Sequence, residues 1–253
     1  MIYDLQKASM WKRLSAALFD GILLGIVAVL CAWLISIAVN YDSYNLTLEN
    51  AYARYAEEYG VDFHKAVNEY DSLTPEQIAR IDEAYAALSA DEEVQYAYEM
   101  MLRLMLIITS LGILLAYVIM EFTVPMLLGD GQTLGKKFFG IGVMLQDGVR
   151  ISGPALFIRS ILGKYAIETM IPVLIILMIS FGAIGVIGPG ILLALVITEL
   201  AMIISTKTNS LIHDQLSSTV CVDVGSQRIF KTRESMIAYK QKLHAERAAR
   251  QKS

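Results

Sequence analysis

The chain has 253 residues, 55% of them hydrophobic, a mean hydropathy of +0.50 and a formal net charge of −4. That is more apolar than an ordinary soluble domain, and the apolar residues sit in long blocks rather than at a surface-helix or strand period. The small net charge hides a strong split between segments and supplies no basic footprint for nucleic acid, so no nucleic-acid partner is expected.

Residues 1–13 carry three Lys/Arg and one acid. The first apolar run, residues 14–39, is long enough for one membrane helix. It is too long for a signal-peptide core, and no small-residue cleavage site follows it. Asp20 lies six residues inside its edge, about 9 Å deep at the helical rise. A carboxylate there costs at least ~2.5 kcal/mol on insertion scales, so it needs a partner, a proton or a wet cavity. Arg13, about two turns earlier on the same face, is the expected charge partner. Gly21 and Gly25 permit close helix approach.

Residues 40–101 form an insert rich in Ala, Glu and Tyr, with three Lys/Arg against fourteen Asp/Glu in residues 40–100. Thr74-Pro75-Glu76-Gln77 has a cap, a Pro at the first helical position and a Gln closing a capping box. It predicts a helix over 75–88. Ser89 to Glu92 reads as a second capping box, leading into the second span. Residues 49–59 and 62–70 also read as helices. The insert is read as a solvated helical cap, or as a vestibule whose acidic field gathers cations.

The second span covers residues 102–128 and contains Glu121. The loop at 129–164 holds Gly129-Asp-Gly-Gln-Thr133-Leu-Gly135-Lys136-Lys137. A phosphate-binding loop needs Gly where Asp130 stands and Ser or Thr where Lys137 stands, so nucleotide binding is rejected. Asp147-Gly148 between β-prone runs signals a hairpin of 141–145 with 149–151, and 219–224 offers a third strand. A short interfacial helix is predicted over 155–163. Residues 165–205 make two further spans, joined by a tight turn at the Gly- and Pro-rich stretch 181–190. The tail, 206–253, is basic and helix-prone, and suits anionic lipid headgroups.

The expected fold class is therefore an all-α polytopic membrane protein. It has four transmembrane helices, a small helical extracytoplasmic insert and a short cytoplasmic β element. Lys/Arg exceed acids by five to two in residues 129–165 and by nine to four in 206–253. With an even span count, this places both termini in the cytoplasm. Cys31 and Cys221 fall on different levels of this topology and are not expected to pair.

Four acids, one per span, fall at similar depth in the cytoplasmic half. Asp20, Glu121, Glu168 and Glu199 lie about 9, 10, 6 and 9 Å from the inner edge. In a low-dielectric layer they cannot all be charged without cations. Arg13, Arg159, Lys136 and Lys137 are the candidates. One reading is a proton- or cation-exchange site. The other is a polar clamp that fixes the bundle.

These residues resemble the RDD family of bacterial membrane proteins, named for one Arg and two Asp. The stretch from Arg13 to Asp20 matches the opening Arg and first Asp. Gln132-Thr133-Leu134-Gly135-Lys136-Lys137 matches an inner-loop segment, and Gly140 to Val143, Asp147-Gly148 and Arg159 follow in order. His213-Asp214 through Thr219-Val220 resembles the closing element, with Asp214 the second Asp. The acidic insert departs from the compact family pattern. Transport has been suggested for the family, including cation/proton antiport for some members, so the resemblance implies no substrate. It does imply a bacterial cell membrane.

Only three histidines occur, His64, His213 and His244. None has metal-ligand spacing, and no nucleophile–base pair can be placed, so neither an enzyme nor a cofactor is expected. Two functions remain open. One is a small transporter or cation/proton exchanger, oligomeric because four spans make a narrow bundle, handling protons or small cations. The other is a non-transporting scaffold or accessory subunit.

Overall fold

A computed structural model describes residues 5–252; residues 1–4 and 253 lie outside it. Four helices are long and apolar enough to cross a membrane: Met10–Ala38, Glu92–Leu128, Gly153–Ser180 and Ile187–Ser205. Among the described residues, the rest is further helices, long and short, and one two-stranded sheet. The chain is an all-α polytopic membrane protein, and most of the surface of its four spans is left uncovered by the protein itself, as suits lipid contact.

Close packing divides the chain into two units, Val29–Gly112 and the remainder. The first holds the insert. Tyr41–Tyr59 starts after Asn40 in a left-handed conformation and stops at Gly60, which has φ +62°. Asp62 caps Phe63–Asn68 by accepting the His64 and Lys65 amides. Thr74 and Gln77 close a full capping box on Pro75–Ala90. Leu48, Ala51, Leu88, Val94 and Ala97 form the core, flanked by Tyr44, Tyr55 and Tyr85.

The expected second capping box at Ser89 does not form, because Pro75–Ala90 continues through it. Asp91 takes the capping role instead, accepting the Glu93 amide at 2.9 Å. It also accepts from Arg54 at 2.6 Å and the Tyr55 hydroxyl at 3.1 Å. These donors hold the Asp91 carboxyl below its ordinary value against the opposing effect of burial.

The second unit carries the sheet. Strand β1, Ile141–Leu145, pairs antiparallel with β2, Thr219–Asp223, in the register Val143 to Cys221. Val143, Met144, Val220 and Val222 are fully buried. The anticipated hairpin is reduced: Met144 and Arg150 share a single bridge, and residues 149–151 form no strand. The tail segment supplies the longer apolar partner, so it wins the pairing with β1.

The separate interfacial helix also needs correction. Residues 155–163 are the opening turns of the third span, which runs unbroken from Gly153 to Ser180. Ser152 caps it, and Pro154 sits in its first turn. Between Ile158 and Met170 the hydrogen bonding is π-type. The second span has a shorter π segment, Val118–Thr123, which carries Glu121. Such turns are often tied to function. The stretch after Ser180 turns tightly, with Gly182 and Gly185 at positive φ, before the fourth span starts at Ile187.

Candidate functional site

The charged residues gather where the ends of the spans meet the 129–152 loop and the segment after the fourth span. Four carboxylate groupings and one exception, Glu199, make up the site, all within the second unit.

Asp20 is 7% exposed on the first span. Its carboxylate accepts the Gly135 amide at 2.7 Å and the Thr133 hydroxyl. Thr133 caps the loop helix Leu134–Phe138, so the span's acid and the loop's cap hold each other. Gly135 is needed for this approach. A Cβ there would stand 2.6 Å from the Ala16 carbonyl and 2.9 Å from the Asp20 carboxyl. Arg13, expected beside Asp20, lies elsewhere.

Glu121, 8% exposed, sits between two lysines. Lys164 Nζ donates at 2.6 Å, and Lys136 Nζ stands 3.7 Å away. Burial lowers the Lys136 pKa and Glu121 opposes it, while the charges of Lys164 and Arg159 push the same way as burial. Lys164 was not among the expected partners. Its spacing to Glu168 suggests a helical pair, but π-type turns change which side chains share a face. Lys137 is exposed and lies outside the cluster.

Asp214 is fully buried in the short helix Ile212–Leu216. Arg159 donates to one carboxylate oxygen and Arg13 to the other, the latter at 3.2 Å. Burial alone would raise the Asp214 carboxyl. The Arg159 charge overrides that, with help from His213 and Arg13, and holds the group well below the usual carboxylate range. Arg13 also donates to the Asn209 carbonyl at 2.6 Å. Arg159 donates to the Thr219 hydroxyl at 2.6 Å, tying β2 into the same knot.

His213, 4% exposed, stands beside Glu168 of the third span. Its backbone amide donates to Glu168 at 2.9 Å and its Nδ1 lies 2.7 Å from the carboxylate. Burial, then the Arg159 charge, lowers the His213 pKa against the pull of Asp214 and Glu168. The ring is therefore neutral near pH 7, and its Nδ1–H is the donor. Gly163 makes room for this helix, since a Cβ there would meet the His213 backbone at 2.7 Å.

Asp20, Glu121, Glu168, Arg13, Lys136, Arg159 and Lys164 all line one cavity of about 350 Å³. Glu199 does not. It lines a second cavity of about 320 Å³, which Glu168 also borders. The structure thus brings three of the four span acids to one cavity and leaves Glu199 at another. The sequence misses Thr133 and His213 as partners, whose signals lie in the loop and closing segments rather than in any span. Among the described residues, no group of three His, Cys, Asp or Glu is arranged to hold a metal.

The sequence model of the RDD family matches residues 7–218. This chain belongs to the RDD family. The match spans every carboxylate and cation of the four groupings and stops one residue before Thr219. No curated protein and no solved structure matches the chain. In this RDD protein, the segments that resemble the family pattern supply many of the paired groups, Arg13 and Asp20, Thr133 to Lys136, Arg159, and His213-Asp214, while Glu121, Lys164 and Glu168 lie outside them.

Proposed function

We propose that this RDD protein is a non-transporting membrane scaffold or accessory subunit, and not an enzyme. Its charged layer acts as a fixed clamp. The observation that carries this reading is that Asp20, Glu121, Glu168 and Asp214 each accept from donors on a different element. Such contacts stabilise one arrangement of loop, spans and tail strand, and breaking a buried pair by removing one partner is expensive. A solute-binding carboxylate should be free to exchange its partner, and these four are occupied.

The same reading places the sheet and the tail helix Arg233–Lys252 as a cytoplasmic platform at a bacterial cell membrane. The Lys/Arg excess of both flanking segments supports that side. The basic tail suits anionic headgroups or an acidic partner protein.

One observation favours the alternative, a small transporter or cation/proton exchanger. Asp20, Glu121 and Glu168 share a single cavity, large enough for a small solute. Dissipation of a pH gradient in proteoliposomes, with Na⁺, Li⁺ or K⁺ added, separates the two. The clamp predicts rates equal to those of protein-free vesicles with all three ions. A cation-dependent rate that Asp20→Asn abolishes would replace the clamp with the exchanger.

A further inference from the structure

Glu199 breaks the pattern of pairing. The residue is half-buried, but both its carboxylate oxygens are covered, and neither accepts a hydrogen bond among the described residues. The cavity it faces is otherwise apolar, with Pro172, Leu195 and Leu200 in its wall, and no described lysine or arginine lines it. The polar side chain that shares this cavity is Glu168. An anionic carboxylate without a donor in such surroundings is strongly disfavoured, and a second carboxylate beside it makes matters worse.

The groups around the pair decide which carboxyl holds a proton. On the third span, Glu168 feels the positive charge of Lys164, and Arg159 lies beyond His213. On the helix Ile212–Leu216, His213 gives Glu168 two donors, its backbone amide and Nδ1–H. Asp214 adds negative charge towards Glu199, and the Ile212 amide lies near it without closing a hydrogen bond. Glu168 is thus equipped to stay ionised. Glu199 is not.

We propose that Glu199 is a proton-binding site, holding its proton at neutral pH and donating it as a hydrogen bond to Glu168. A carboxylic acid at Glu199 supplies the donor that its covered oxygens and the Glu168 carboxylate otherwise lack. Release of the proton leaves two facing anions and loads the Glu168–His213 contact. Because Glu168 borders both cavities, that change is felt at the charged cavity as well. The site stands independently of the clamp: a rigid scaffold and a transporter could each carry it.

Infrared spectroscopy of the full chain in lipid tests this. The wild type at neutral pH should show a protonated-carboxyl C=O band that shifts in D₂O and moves when glutamate side chains are isotope-labelled. Glu199→Gln should abolish the band completely, and Glu168→Gln should shift it by changing its acceptor. A wild type without the band, a band unmoved by glutamate labelling, or a band retained in Glu199→Gln would overturn the proposal. On wild-type protein alone, an absent band or one unmoved by labelling overturns the proposal even where a variant fails to fold. Proteoliposome flux, tested separately, bears on the clamp and leaves this result untouched.

Discussion

His213 shows how one side chain can set a pH limit on the whole site. Its folded pKa lies below the ordinary 6.5, chiefly through burial and the Arg159 charge. As pH falls below about 6.5, the unfolded chain gains a proton that the folded one resists, so stability present above that pH is lost. Asp214 acts in a separate window. Its folded value lies below the ordinary 3.8, so its contribution is present above that pH and is lost only at stronger acidity. The thermal midpoint in lipid should therefore fall between about pH 7.5 and about pH 5.5, and His213→Gln should flatten that fall. An equal fall in the variant would remove His213 as its source. Asp20 makes a related point at the same scale. Its depth and its need for a partner were legible from the sequence, because burying a charge is costly wherever it occurs. The partner was not. Spacing along one helix favoured Arg13, whereas the actual donors come from Thr133 and Gly135, more than a hundred residues away.

At the scale of elements, the long apolar helices could be read directly, since span length is set by bilayer thickness. Element ends and pairings were harder. The hairpin signal at Asp147-Gly148 was real as a turn, with the Gly148 amide donating to the Leu145 carbonyl at 2.9 Å. The strand at 219–224 was also legible, but not that it would be the main partner of β1 in place of residues 149–151. The third span likewise absorbed a helix that looked separate, because Gly163 serves close packing rather than a break. That leads to a test. A methyl group at Gly163 would stand 2.5 Å from the His213 Cβ and 2.7 Å from its backbone. Gly163→Ala should then push the helix Ile212–Leu216 off the third span and cost ~1–3 kcal/mol, as over-packing does. Denaturant unfolding in mixed micelles would measure it. A change within experimental error would mean that the helix yields freely and does not anchor the tail.

For the whole molecule, the proposed clamp requires the ionic network to be a lock rather than a moving part. Asp20, Glu121 and Glu168 converge on one cavity with Arg13, Lys136, Arg159 and Lys164, and each of the three acids has a donor from another element. The layer of acids was visible in the sequence as a common depth. Which donor meets which acid, and that Glu199 stands apart, depended on tertiary contacts that spacing along the chain does not reveal. The Arg159–Asp214 pair is the most buried link, with side-chain exposures of 3% and 0%. A double-mutant cycle on thermodynamic stability, using Arg159→Met, Asp214→Leu and the double variant, tests the lock most directly. Each single change takes one partner out of a buried pair and should cost ~3–5 kcal/mol, while the double should cost at least ~2 kcal/mol less than their sum even with Arg13 still facing the site. Additive losses of under ~1 kcal/mol each would contradict the clamp.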